Sequence, residues 1–274
     1  TLQSAAYFAF LIDTISQDGI YEGLALNEPW RQTLSQEESG RSNEWNIGFG
    51  GSFSDKLYVG ASLNVLDIRY TSEFVYEEED INADNPLNNF VYSDFYETDG
   101  TGFNIKAGII ARPIDFIRIG VSFQSPTWYS LTDNYSTQIQ SFFDNAPFPY
   151  GNTDPIDGFF EYNFSTPYKV TLGAMGLIGK RGFISADFDF LDYSTARFSS
   201  DFSPSSSAYY SFASENAAIQ DIFQSAYNLR LGGEYRLGAA RVRLGYSNYG
   251  AIVDAPFLEY VDYSTGNVRS IIGG

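Results

Sequence analysis

Between Gly100 and Ser136 apolar and polar residues alternate with a period of two. Phe103, Ile105, Ala107, Ile109 and Ala111 take one side, and Asn104, Lys106, Gly108 and Ile110 take the other. Only a β-strand keeps that period in register, because successive side chains leave a strand on opposite faces. After Arg112-Pro113-Ile114-Asp115 the pattern restarts, with Ile117, Ile119, Val121 and Phe123 opposed to Arg118, Gly120, Ser122 and Gln124. The stretch is a hairpin with a tight turn at one end and a polar, aromatic continuation at the other.

The same unit recurs along the chain. Trp45, Ile47, Phe49 and Phe53 lead to the turn Ser54-Asp55-Lys56, and Leu57, Val59, Ala61, Leu63 and Val65 return from it. A third copy places Val170, Leu172, Ala174 and Ile178 before the turn Gly179-Lys180-Arg181-Gly182, and Ile184, Ala186, Phe188 and Phe190 after it. In the fourth, Tyr227, Leu229, Leu231, Tyr235 and Leu237 precede Gly238-Ala239-Ala240, and Val242, Leu244 and Tyr246 follow. Beyond Val65 the phase slips, so a bulge is expected there. Residues 77–99 read as a long acidic loop or a protruding hairpin, and 145–158 as turn-rich. The connection 199–225 holds a helix, SENAAIQDIF, with Ser214 as its N-cap. Residues 1–43 form an irregular lead-in: SAAYFAFLID is a strand or one to two helical turns, QTLSQEESGRS a loop. The terminal SIIGG looks like a strand cut short.

Each tight turn is answered by a connection of roughly twenty residues or more, an asymmetry found in transmembrane barrels. The alternation lasts about nine to eleven residues per arm, enough to cross a hydrocarbon core at a tilt. No run of apolar residues is long enough for a transmembrane helix. The expected fold is therefore all-β, one antiparallel transmembrane β-barrel domain over residues 1–274, in the outer membrane of a Gram-negative bacterium. The chain starts without Met or a signal peptide, so it is expected to be processed or a fragment.

With no cysteine and no histidine among 274 residues, disulfide staples and Cys- or His-based catalytic or metal schemes are excluded. A formal net charge of -18 repels nucleic-acid phosphates, so nucleic acid is not a partner. No nucleophile elbow, P-loop or dinucleotide fingerprint is present. The chain is expected to be no enzyme and to need no cofactor or metal. Lys56, Arg112, Lys180, Arg181, Arg236, Arg241 and Arg243 gather at the tight turns, and acidic residues fill the long connections. Those acidic runs either keep loops soluble or bind divalent cations bridging to lipid and lipopolysaccharide headgroups. Tyr70, Phe74, Tyr76, Trp128, Tyr129, Phe160, Tyr162, Phe164, Tyr193, Tyr246 and Tyr249 lie where the alternation fades. They form an aromatic girdle at the headgroup level, or reflect plain β-propensity.

The second face of such strands looks into the lumen. Counting back from the turns pairs Gly50 with Gly60 and Gly108 with Gly120, leaving the wall bare at two spots. Either a plug or another backbone segment packs there, or the glycines ease curvature. Lys106, Arg118, Asp187, Asp189, Arg230, Glu234 and Arg236 share that face, where mixed charge is natural in water and prohibitive toward lipid. Asp187 and Asp189 are neighbours on one side of a strand and need no catalytic explanation. Phe142, Phe143, Phe148 and Tyr150 are the candidates for capturing a hydrophobic ligand, since apolar surface gains about 25 cal/mol per Å² on leaving water.

The segments EWNIGFGGSFSDKLYVGASL (44–63), GTGFNIKAGIIARPIDFIRIGVSFQSPTWYSLTDNY (100–135), KRGFISADFDFLDYSTARF (180–198) and NLRLGGEYRL (228–237) resemble the FadL/TodX family of outer-membrane transport proteins. The likeness is closest to Bacteroidetes-type homologues and covers most of the chain from about residue 44. It implies a barrel of about fourteen strands with an N-terminal plug, carrying long-chain fatty acids or other hydrophobic compounds inward by passive diffusion. Here the Asn-Pro-Ala plug signature and the final strands are missing, and about eight to ten strands are expected. Two other functions stay open: a structural barrel binding partner proteins in an outer-membrane assembly, and a soluble acidic β-domain that binds glycans or lipids.

Overall fold

A computed structural model describes residues 2–14, 21–23, 29–81, 86–144, 150–200, 210–253, 259–262 and 267–270. After the short helix α1 (Leu2–Phe8) come two small paired strands, β1 (Ile12–Thr14) and β2 (Tyr21–Gly23). Then follow β3 (Trp30–Phe53), β4 (Leu57–Asp80), β5 (Leu87–Ile114), β6 (Ile117–Gln124), β7 (Trp128–Phe143), β8 (Tyr150–Asn152), β9 (Ile156–Ser165), β10 (Lys169–Ile178), β11 (Gly182–Asp192), β12 (Arg197–Ser199), helix α2 (Ala213–Ile222), β13 (Ser225–Leu237) and β14 (Ala240–Tyr249). The pair β15 (Glu259–Asp262) and β16 (Asn267–Ser270) stands apart from the large sheet.

All four turns expected from the sequence join antiparallel neighbours. β3 pairs with β4, β5 with β6, β10 with β11 and β13 with β14. The large sheet has twelve strands, and among the described residues β3, β8, β12 and β14 each pair with a single neighbour. No described helix is long and apolar enough to cross a membrane.

Two proline-containing gaps turn single crossings into strand pairs. Ser125-Pro126-Thr127 separates β6 from β7, and Thr166-Pro167-Tyr168 separates β9 from β10. Proline brings no N–H to a ladder, so side chains take over around it. The Ile105 N–H is accepted by Ser125 Oγ at 3.0 Å and the Thr127 N–H by Thr166 Oγ1 at 2.9 Å. The long β5 thereby pairs with β4 and with both β6 and β7.

Several expectations need correction. QTLSQEESGRS is no loop: it lies inside β3, which starts at Trp30. Its polarity misled because the strand is fastened by polar cross-strand pairs with β4, namely Arg31 with Glu79, Gln32 with Glu78 and Ser39 with Thr71. The acidic residues 77–80 end β4, which pairs with β5, and residues 82–85 lie outside the described residues; β3, β4 and β5 run 24, 24 and 28 residues, well beyond the arm length expected. In β4 Ser62, Asn64 and Leu66 share the more covered side, as do Phe74 and Tyr76. Between Ile68 and Ser72 that alternation of covered and open positions lapses. Helix α2 has Phe212 at its N-cap, with no side-chain bond, and Ser214 sits inside the first turn with its Oγ on Glu215. Residues 271–274 lie outside the described residues.

The described chain divides into two compact units, and β3, β4, β5, β7 and β9 contribute residues to both. In the first (Thr1–Ser42, Ile68–Gly100, Leu131–Glu161), Ala5 and Ala9 are buried against Ile139, with Tyr92 packed alongside. Ser141 donates its hydroxyl to the Ala9 carbonyl, and a Cβ on Gly151 would come within 2.6 Å of that same oxygen. SAAYFAFLID is thus helical at its start, and a glycine is needed where its last carbonyl meets β8. Phe74 packs edge-on against Tyr92 and Tyr70 against Tyr96. Phe74 and Tyr76 are half-buried in β4, while Tyr70 is exposed.

In the second unit (Asn43–Asp67, Thr101–Ser130, Tyr162–Gly274), Asn216 of α2 clamps β12 at two points. It accepts from the Phe198 N–H at 2.8 Å and donates to the Phe198 carbonyl at 2.9 Å. The side chain mimics a neighbouring strand and satisfies one edge of β12.

Candidate functional site

The second unit has two chemically opposite faces. Register places Ile109 beside Val121, Val121 beside Leu172, Leu172 beside Phe188 and Phe188 beside Leu229. All five side chains are exposed. One residue along, Gly108 pairs with Ser122, Ser122 with Thr171, Thr171 with Asp189 and Asp189 with Asn228. On this second row Asp189 is 1% exposed, and Asn64 and Asn104 on the same face are 0% and 1% exposed. A water-soluble sheet buries its apolar side; this one buries its polar side.

Lys106, Arg118, Asp187, Asp189, Arg230, Glu234 and Arg236 share the polar face. The Asp189 carboxylate is the centre of the strongest group. Thr171 Oγ1 donates to it at 2.7 Å, Arg230 Nη2 lies 2.8 Å away and Lys169 Nζ 3.7 Å away. A buried carboxylate persists only with such partners, because desolvating it alone would cost several kcal/mol. Asp187 stands directly opposite Arg230 on β13. Lys106 donates to Glu44 at 2.5 Å, and Glu234 accepts from Arg243 at 2.5 Å with Arg241 3.9 Å off.

Sequence reasoning missed a second group, the buried amides. Asn64 Nδ2 donates to Asn104 Oδ1 and Asn104 Nδ2 to Thr127 Oγ1, each at 2.9 Å, while Ser62 Oγ reaches Asn64 Oδ1 at 3.3 Å. The chain crosses β4 and β5 and ends at the proline gap before β7. Its only sequence signal was polar residues at lumen positions flanked by Leu63, Val65, Phe103 and Ile105.

A cavity of about 1020 Å³ opens over the polar face, lined by Lys106, Arg118, Gly120, Lys169, Gly173 and Asp187 among others. The expected glycine pair is half right. Gly50 and Gly60 are opposite: a Cβ on each would meet the carbonyls of Val59 and Phe49. Gly108 instead faces Ser122, and Gly120 faces Ile110 on one side and Gly173 on the other. Counting from the turn failed because the β5–β6 register shifts between Ala111 and Ile114. Gly120 is thus matched with Gly173 in place of Gly108. A Cβ on Gly173 would lie 2.9 Å from the Asp187 carboxylate.

Among the capture candidates, Phe142 and Tyr150 are brought together as register partners of β7 and β8, and both are exposed. Phe143 is half-buried on the opposite side of β7, and Phe148 lies outside the described residues. Among the described residues no cluster of acidic side chains is arranged to hold a metal ion.

No protein-family model matches the sequence, and no curated protein does. Three solved channel structures are similar to it. One is a TodX deltaS2S3 mutant, a monoaromatic hydrocarbon channel, at 15% identity and a TM-score of 0.48, covering 82% of this chain and 66% of that one. The others are the monoaromatic hydrocarbon channel CymD, at 11% identity, 88% and 81% coverage and a TM-score of 0.36, and the toluene transporter TbuX of Ralstonia pickettii, at 13%, 85%, 73% and 0.37. This chain spans just under two thirds of the TodX structure's length.

Proposed function

We propose that this chain supplies membrane-spanning strands of an outer-membrane channel through which hydrophobic small molecules pass down their own gradient. The observation that carries the reading is the inverted sheet of the second unit. Its apolar row is uncovered, with Ile184 60% and Leu172 51% exposed, while carboxylates and amides are buried on the other side, Asp189 at 1%. In water an exposed apolar face of this extent is an aggregation liability. In a bilayer it is the required lipid contact, and the polar face then borders the lumen.

The names of the three similar structures point to aromatic hydrocarbons as cargo, and the family resemblance adds long-chain fatty acids. Uptake of radiolabelled toluene and oleate into proteoliposomes compares the two. Entry of either, faster than into protein-free liposomes and without an energy source, is the expected result. Equal leakage with and without protein, together with co-purification of stoichiometric partner proteins, would favour a structural subunit instead. Substituting Phe142, Phe143, Phe148 and Tyr150 with Ser is expected to slow uptake; unchanged uptake removes them from the path.

A further inference from the structure

The cations at the tight turns of the second unit exceed the carboxylates that could pair with them. Lys56, Lys180, Arg181, Arg236, Arg241 and Arg243 are all exposed there. Asp115 and Glu234 stand at the same end, but Asp115 is already bonded to Arg112 at 2.8 Å and Glu234 to Arg243 at 2.5 Å. Arg241 comes no closer to Glu234 than 3.9 Å. Among the described residues Lys56, Lys180, Arg181 and Arg236 form no ion pair at all.

Register sets like charges against one another. Arg236 stands directly opposite Arg241, and its N–H goes the other way, to the Arg181 carbonyl at 2.7 Å. Arg236 and Arg241 are therefore a pair without ladder bonds between them, the kind whose Cα atoms approach to about 4.5 Å. The Arg112 N–H meets the Lys56 carbonyl at 2.7 Å, which repeats the juxtaposition two hairpins away. Like charges directly opposite cost stability, and an anion seated between guanidiniums removes that cost while gaining charge-assisted hydrogen bonds. We propose that this rim is a docking surface for an acidic peptide segment of a protein on the periplasmic side of the membrane. The side follows from the membrane-channel reading, on which the proposal rests, because the short turns of such barrels face the periplasm. Another copy of this chain in the same membrane holds its acidic connections on the opposite side. Phospholipid headgroups lie across the wall: Arg236, Arg241 and Arg243 share the polar face, and the exposed Tyr235, Leu237, Val242 and Leu244 take the other.

The full chain in nonionic detergent micelles is titrated into fluorescein-labelled decaglutamate and followed by fluorescence anisotropy, at about 0.15 M salt, where charges more than about 8 Å apart are largely screened. Saturable binding is expected although the chain's formal net charge is -18. Arg236→Gln with Arg241→Gln is expected to weaken it at least about tenfold while the β-sheet circular dichroism stays unchanged. Arg31→Gln with Arg69→Gln removes the same charge where Glu79 and Glu97 already hold it, and should change binding by less than about twofold. Should the first variant lose its fold, Lys56→Gln with Arg181→Gln gives the second reading, since it breaks no ion pair and also weakens binding. Absence of saturable binding, or equal weakening by the turn variants and by the Arg31 and Arg69 variant, overturns the surface. Displacement of the peptide by phosphatidylglycerol or by inorganic phosphate at equal charge concentration also overturns it, assigning the rim to lipid headgroups or to small anions. Saturable peptide binding without uptake in liposomes contradicts the transport reading alone; uptake without peptide binding contradicts the docking surface alone.

Discussion

The Tyr129 ring rests on Gly102 so closely that the hydrogen of glycine is the only substituent the strand tolerates there. Gly158 and Tyr135 repeat the arrangement on the other side of β7, with the tyrosine ring again occupying the place of a Cβ. An aromatic ring laid over a strand glycine restores the packing that the missing side chain forfeits. Gly102→Ala is expected to lower unfolding stability in micelles by about 1–3 kcal/mol, the usual cost of overpacking. Adding Tyr129→Ser should recover part of that loss; no recovery would mean that the ring is not what the methyl strikes.

The Asp189 carboxylate and the Arg230 guanidinium make a pair in which one member is buried and the other half-exposed. Removing Arg230 leaves Asp189 with Thr171 and Lys169, and removing Asp189 takes away the carboxylate that Arg230 faces, so the two substitutions should not add. A double-mutant cycle with Asp189→Asn and Arg230→Gln is expected to give a coupling of about 1–2 kcal/mol, read from denaturant midpoints. Strict additivity would mean that solvent screening has cancelled the pair.

Asn104 stands in the middle of the amide chain and Asn64 toward its end. Asn104→Leu strands both the Asn64 amide and the Thr127 hydroxyl, at about 1–3 kcal/mol for each unsatisfied group. Asn64→Leu leaves the Asn104–Thr127 bond in place and should cost less. The order of the two melting temperatures checks this, and the reverse order would contradict the connectivity.

Glu215 in the first turn of α2 accepts hydrogen bonds from the Tyr210 phenol and from Ser214, and the Tyr210 bond leads in holding its carboxyl below the usual carboxylate range. The same bond raises the Tyr210 phenol. A carboxylate depressed in the folded state stabilises it fully above the unfolded value, and the contribution fades as pH falls through the folded one. Tyr210→Phe is therefore expected to move the Glu215 titration, followed by carboxyl carbon chemical shift, upward toward the ordinary value. No movement would show that the phenol does not hold the group.

The four turns, the two-residue period and the polar face were legible because each is local: hydropathy alternates in the sequence wherever the two faces meet different surroundings. The length of β3 was not. Residues 31–42 are polar on both sides, and what makes them a strand is their partners on β4, more than thirty residues away. The Gly120–Gly173 contact was hidden for a related reason, since a register shift at one turn and pairing between separate hairpins decide it. Asn64 and Asn104 looked like ordinary lumen residues, and their burial depends on neighbours that hydropathy does not name.

The chain contains no cysteine, so single cysteines can be introduced and labelled without background. A nitroxide placed in turn at residues 117–123 of β6 and 170–176 of β10 in liposomes reports its access to oxygen, which dissolves in lipid, and to a water-soluble nickel chelate. Labels at Ile119, Val121, Leu172 and Ala174 are expected to see oxygen and little nickel, and those at Arg118, Ser122, Thr171 and Gly173 the reverse, alternating residue by residue. Equal nickel access on both faces, or no alternation, would contradict the inverted sheet and with it the membrane channel.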